Sequence, residues 1–148
     1  MKIEVKTLDE MSAREWCRLV QERIKVFVVE QHCPYQEVDA DDYHALHLQL
    51  QTDQGQLVGY TRIYQRADGQ ISFGRVLVPM QYRKHHYGRR LIQETIAVAQ
   101  EHFPGEPIQI QAQAYLQKFY ESFGFRPISA VYLEDNIPHL DMVLKGED

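Results

Sequence analysis

Long apolar runs are missing from this 148-residue chain. No stretch approaches the roughly 20 apolar residues that a membrane-spanning helix needs. The opening segment, MKIEVKTLDE, lacks the apolar core of a secretory leader. Cysteine is scarce: Cys17 and Cys33 make no disulfide framework, which points to a reducing, cytoplasmic compartment. Positive charge is in deficit. Lys and Arg number 16 against 21 Asp and Glu, a net −5, whereas a dedicated nucleic-acid binder is usually basic overall. Repeats, low-complexity tracts and linkers are absent. What remains is 44% hydrophobic and 25% charged, the composition of one globular domain over residues 1–148 with one core.

Periodicity divides that domain into alternating elements. KIEVK alternates and predicts a strand. Ser12, with Glu15 three residues on, has the form of a capping box. A helix over about Ala13–Val29 follows, marked by Trp16, Leu19, Val20, Ile24, Phe27 and Val28. The polar stretch from Gln31 to Asp42 reads as a loop. ALHLQLQ, QLVGYTRIY and QISFGRVLV predict an antiparallel meander with turns at DQG and ADG. In the third of these strands, Ile71 and Phe73 share one parity, and Val76 and Val78 the other. One extra residue near Gly74, a β-bulge, brings both pairs to one face. A helix with Leu91, Ile92, Ile96, Ala99 and Phe103 on one side comes next, then the strand IQIQAQA. A strand, a helix and a strand suggest a right-handed crossover with parallel pairing. A short helix ends at Gly124, and a closing hairpin turns at Asp135–Asn136. The predicted class is α+β: a mixed, mostly antiparallel sheet with helices packed on it.

Between the third meander strand and the next helix lies VLVPMQYRKHHYGRRLI. It gathers Arg83, Lys84, His85, His86, Arg89 and Arg90 around one strand-to-helix turn. Helix N-termini present unpaired backbone N–H groups and the positive end of the macrodipole, which suits a pyrophosphate. Gly88 supplies the one position in this turn without a Cβ. A solvated basic loop accounts for the same residues.

PMQYRKHHYG resembles the coenzyme A loop of the GNAT superfamily of N-acetyltransferases, an Arg or Gln, two variable residues, Gly, a variable residue, then Gly or Ala. Arg83 and Gly88 match its ends, and His86 stands where the first glycine is usual. FYESFGF resembles the end of that family's fourth helix. RIKVFVVEQHCPYQEVDADD, GRV and AQAYLQKFYESFGF are similar to its ElaA-like branch. The resemblance spans nearly the whole chain. It implies a GNAT-like fold with a central parallel pair, formed by the fourth and fifth strands, and helices on both faces. It implies acetyl transfer from acetyl-CoA to a primary amine of a small molecule or peptide, by direct attack through a tetrahedral intermediate. The pantetheine arm would lie along Val76, Leu77 and Val78 like an added strand. The pyrophosphate would meet Arg83, Lys84, His85, His86, Tyr87, Gly88 and Arg89. The Val76 N–H would donate to the oxyanion, and Tyr120 would protonate the leaving thiolate. A homodimer is ordinary for the superfamily.

The acceptor side is less marked. Glu30, Glu37, Asp39 and Asp42 border the expected acceptor site, where acidity would suit a cationic amine, although a solvated acidic loop reads the same way. His47, Arg75 and His139 are polar strand residues that could face the cleft, or be hydrogen-bonded within the sheet. Other readings have weaker support. His44 and His47 lie three apart in a predicted strand and would point to opposite faces, and Cys33 with His85–His86 has no recognised zinc spacing, so no metal is expected. YRKHHYGRR interleaves basic and aromatic residues as single-strand binders do, but the acidic net charge argues against nucleic acid. A non-catalytic acyl-CoA sensor would keep the same loop. Tyr120 and an open acceptor cleft separate it from an enzyme.

Overall fold

The computed structural model describes residues 1–146. The chain runs β1 (Lys2–Lys6), α1 (Ala13–Ile24), β2 (Leu46–Gln51), β3 (Leu57–Gln65), β4 (Ile71–Leu77), α2 (Tyr87–His102), β5 (Ile108–Gln113), α3 (Gln117–Glu121), β6 (Arg126–Pro127), β7 (Tyr132–Glu134) and β8 (Ile137–Leu144). All strands join one sheet in the order β1-β2-β3-β4-β5-β8-β6, with β7 pairing β8 as well. Every pairing is antiparallel except β4 with β5. The expected α+β architecture and its central parallel pair are both present. β6 is additional. Two residues, one of them Pro127, are too few to show an alternation.

Each face of the sheet has its own core. On one, Leu91, Ile92 and Ala99 of α2 and Tyr120 of α3 pack on Leu48, Leu50, Ile63 and Phe73. On the other, Leu19, Val26 and Phe27 pack on Tyr60 and Leu77. Full burial of such a side chain contributes roughly 1.5–3 kcal/mol.

α1 starts where Ser12 Oγ accepts the Glu15 N–H at 3.0 Å. Only half of the expected capping box forms, because the Glu15 carboxylate binds Lys6 Nζ at 3.0 Å instead. The helix continues past Ile24, but Lys25–Glu30 widens into a π turn. Gln31 N–H reaches back five residues to Val26 O at 3.3 Å. The widened turn buries Val26 and Phe27 together, a rotation of the buried face that a strict 3.6-residue period does not contain.

The bulge in β4 is where the parity switch placed it. Tyr60 pairs with Leu77 and Arg62 with Gly74, so three steps on β4 match two on β3. Val76 and Val78 thereby join Ile71 and Phe73 on the α2 face, and Leu77 turns to the α1 face. The left-handed residue of the bulge is Arg75, at φ 50°, rather than its neighbour Gly74. For an L-residue this conformation costs about 1–2 kcal/mol. β4 and β5 pair only through Ile71 and Ile108. Beyond that point they diverge, and the divergence positions the site.

Candidate active site

A cleft of about 570 Å³ occupies the gap between β4 and β5. Ser72 to Val76 and Val78 form one wall and Ile110 to Gln113 the other. Tyr120 and Phe119 close it from α3. Glu30 and Tyr35 approach from the segment after α1, and Glu134 and Asp135 from the β7–β8 turn. A second hollow of about 350 Å³ lies at the basic loop, lined by Lys84, His86, Tyr87 and Arg89. The two share Val78, Arg83, Gly88 and Phe119 and so form one continuous groove.

The loop is built by two left-handed residues, Lys84 at φ 68° and His86 at φ 61°. His86 is the N-cap of α2, with no side-chain cap bond. Histidine is among the non-glycine residues enriched in this region, so it holds the conformation at modest cost. The first-turn N–H groups of α2 consequently open beside the hollow. Gly88 has no neighbour within 4 Å of where a Cβ would stand, so the absent side chain leaves open groove. An anion fits these donors.

The basic side chains divide their tasks. Arg83 Nε donates to Val78 O at 2.9 Å, and its Nη2 to Glu30 Oε2 at 2.7 Å. Arg89 Nη2 donates to Ser122 Oγ at 2.9 Å, and its guanidinium lies over the Phe119 and Phe123 rings. Lys84 lines the loop hollow. His85 is exposed against Tyr87, outside both hollows. Leu77 turns its side chain to the opposite face, leaving only its backbone on the β4 edge.

Tyr120 is 4% exposed, held by Phe73, Phe119 and Phe125 with ring centroids 6.3, 5.3 and 5.9 Å away. Among the described residues its hydroxyl has no protein partner, and it is not sealed from the cleft. Burial pushes its phenol well above the ordinary tyrosine range, so it keeps its proton at neutral pH. His139 sits on β8 opposite Gln113, stacked on Tyr132, and lines the cleft. Its Nδ1 is 2.7 Å from Ile137 O, which can only accept. In the neutral ring Nδ1 therefore carries the hydrogen and Nε2 keeps its lone pair.

Other candidates need correction. His47 does not face the cleft. It is fully buried under α1, with Nδ1 2.6 Å from Tyr60 Oη and Nε2 3.0 Å from Asp42 O. Burial lowers its pKa. His44 lies outside β2 and is exposed, so the strand-parity argument does not apply to it. Glu30 lines the cleft, but its carboxylate is committed to Arg83. Glu37, Asp39 and Asp42 are not a solvated acidic rim. Arg23, fully buried, donates from Nε to Glu37 Oε1 at 2.7 Å and from Nη1 to Asp42 Oδ1 at 2.8 Å. Arg62 Nη1 donates to Asp39 Oδ1 at 2.7 Å. Arg75 does face the cleft, but its guanidinium also turns to this network, reaching Glu37 O and Asp39. The sequence contained the signal: Arg23 interrupts the apolar stripe Trp16, Leu19, Phe27, and a buried arginine demands carboxylates. Tyr35, Tyr64, Arg62 and Arg66 line the cleft as well and carry no motif. Burial raises the Tyr35 phenol to about 12. Among the described residues, no three His, Cys, Asp or Glu side chains gather as metal ligands, and no helix is long and apolar enough to cross a membrane.

A strand bulged beside a parallel splay, with a helix N-terminus opening on the same groove, is the architecture of the GNAT acetyltransferases. The model of the acetyltransferase (GNAT) domain matches residues 13–145, and the chain belongs to that family. Within it, the chain is 42% identical to the protein ElaA of Escherichia coli over 137 residues, which cover 90% of this chain and 89% of the relative. The crystal structure of E. coli ElaA superposes with a TM-score of 0.89 at 38% identity, covering 96% of this chain and 97% of that one. An acyl-CoA N-acyltransferase from Pseudomonas aeruginosa superposes with a TM-score of 0.90, also at 38% identity and with the same coverage.

Proposed function

We propose that the chain is a single-domain, cytoplasmic N-acetyltransferase that moves the acetyl group of acetyl-CoA to a primary amine of a small molecule or peptide. The observation that carries this reading is the Tyr120 hydroxyl, without a protein partner among the described residues, on a cleft continuous with the loop hollow. Acetyl-CoA supplies an activated acetyl thioester. The α2 N-terminus, with Lys84, His86 and Arg89 beside it, holds its pyrophosphate. The diverging edge of β4 at Val76 and Val78 receives the pantetheine amides. The amine nitrogen attacks the acetyl carbon, a C–N bond forms and the C–S bond breaks. The Val76 N–H stabilises the oxyanion. Tyr120 gives its proton to the departing sulfur, and His139 Nε2, directly or through water, takes the proton lost by the amine.

The test is a panel of amines with acetyl-CoA, following free thiol release, beside thermal melting with acetyl-CoA. Binding of the coenzyme raises Tm by mass action. Stabilisation with acetyl transfer to some amine is the expected result. Stabilisation with no transfer to any amine in the panel favours a sensor. A melting temperature unmoved by acetyl-CoA but raised by other nucleotides overturns the reading.

A further inference from the structure

Arg75 raises a question that the coenzyme site does not answer. β4 places glycine at 74, yet the left-handed residue of the bulge is Arg75 at φ 50°. A conformation that glycine adopts freely is held by a residue with a long side chain. Strained positions of this kind persist only where the surroundings over-determine them. Here the surroundings do so through the guanidinium. Arg75 Nε and Nη2 both donate to Glu37 O, at 3.2 and 2.8 Å, and Nη2 also reaches Asp39 Oδ2 at 3.3 Å. The same guanidinium stacks over the Tyr35 ring, 5.2 Å from its centroid.

The anchor is itself rigid. Glu37 O accepts a further N–H from Arg23 Nη2 at 3.1 Å, and the Glu37 carboxylate is buried against Arg23 Nε. Arg62 binds both oxygens of Asp39, at 2.7 and 3.2 Å. The bulge of β4 is thus clamped to a loop that is pinned to α1 through Arg23 and to β3 through Arg62. Glycine at 75 would adopt the backbone angle and could not make the clamp.

We infer that Arg75 is a positioning residue, whose bidentate hold on the Glu37 carbonyl locks the left-handed bulge so that the next peptide N–H, that of Val76, points at the acetyl oxygen in the cleft. The inference rests on the acetyl-transfer reading. Arg75 touches no reacting atom in it and acts through the Val76 amide. Preorganised donors lose their effect when displaced by about 1 Å, on the order of a hundredfold in rate.

Three variants test it: Arg75→Gly, Arg75→Ala and Arg75→Lys. Two readouts are used, steady-state kinetics on an amine acceptor and the Val76 amide resonance in ¹⁵N spectra during an acetyl-CoA titration. The clamp requires kcat to fall by roughly ten- to a hundredfold in both Arg75→Gly and Arg75→Ala, with the acetyl-CoA KM changed less than about threefold. Arg75→Lys recovers part of the loss, because one ammonium replaces a two-pronged donor. In the parent, the Val76 amide proton moves downfield on acetyl-CoA binding. In Arg75→Gly it does not. Full activity in Arg75→Gly, or an unchanged Val76 response in that variant, overturns the clamp, since the backbone angle alone would then suffice. The amide titration needs no turnover. If the parent transfers acetyl to no amine, the reaction reading fails, and the Val76 response still decides the clamp. Arg75→Lys keeps a cation at the network and covers the case in which Arg75→Ala fails to fold.

Discussion

Removing Arg23 should unfold the α1 face more effectively than removing any apolar residue beside it. Arg23→Ala leaves Glu37 and Asp42, 3% and 2% exposed, without the guanidinium that binds them at 2.7 and 2.8 Å. Breaking a buried ion pair from one side costs about 3–5 kcal/mol. At about 2–4 °C per kcal/mol for a domain of this size, Tm should fall by on the order of 10 °C. The deficit should also depend on pH, with a sign opposite to that of the parent. In the parent, burial alone would raise the pKa of Asp42, but hydrogen bonds and charge from Arg23, with Arg62, hold it below its ordinary value. A depressed carboxylate adds stability above the unfolded value, about pH 4, and loses it as pH falls through the folded value. Without Arg23, burial outweighs the remaining Arg62 contact at 3.1 Å, and Asp42 titrates above its unfolded value. Protonation then favours the folded state, so the deficit of Arg23→Ala narrows as pH falls from about 7 to about 5. Urea unfolding followed by fluorescence measures this. Trp16, the single tryptophan, lies 5.5 Å from the Arg23 guanidinium and reports the network. The neutral combination Arg23→Met with Glu37→Gln and Asp42→Asn should recover most of the loss. A deficit under about 1 kcal/mol, or one constant between pH 7 and 5, would refute the reasoning.

Tyr120→Phe removes only the hydroxyl and should lower kcat by roughly ten- to a thousandfold with coenzyme affinity nearly intact. Single-turnover kinetics check that chemistry is the step affected. His86→Gly should leave acetyl-CoA affinity within about threefold by titration calorimetry, because glycine adopts the same backbone angle. His86→Val, β-branched at φ 61°, should lose about 1–2 kcal/mol in denaturant unfolding and weaken coenzyme binding as the loop relaxes. The parent itself should unfold at low pH. Asp39 and Asp42 both titrate below their ordinary range, so their contribution disappears below about pH 4, which acid titration by circular dichroism measures.

By itself the sequence determined the order of the main elements, the bulge and the basic strand-to-helix loop, because each is written in neighbouring residues. The parity switch between Phe73 and Val76 requires an extra residue whatever packs above it. Arg83, Gly88 and the start of α2 lie within a few positions of one another, and the Asp135–Asn136 turn carries both its left-handed residues in sequence, at φ 51° and 62°. The tertiary structure alone decided which polar groups face the cleft. Glu37, Asp39 and Asp42 look like an acidic rim in the chain, but Arg23 lies 14 residues before Glu37 and 19 before Asp42. Only folding of the loop onto α1 brings them together. A lone buried charge is costly, so the arginine and its acids had to find one another, while Tyr35, Tyr64 and Arg66 line the cleft. His47 and His139 are equally polar strand residues in the sequence. One is covered by α1 and the other opens on the splay between β4 and β5, a difference set by which strands diverge, and no local pattern encodes that divergence.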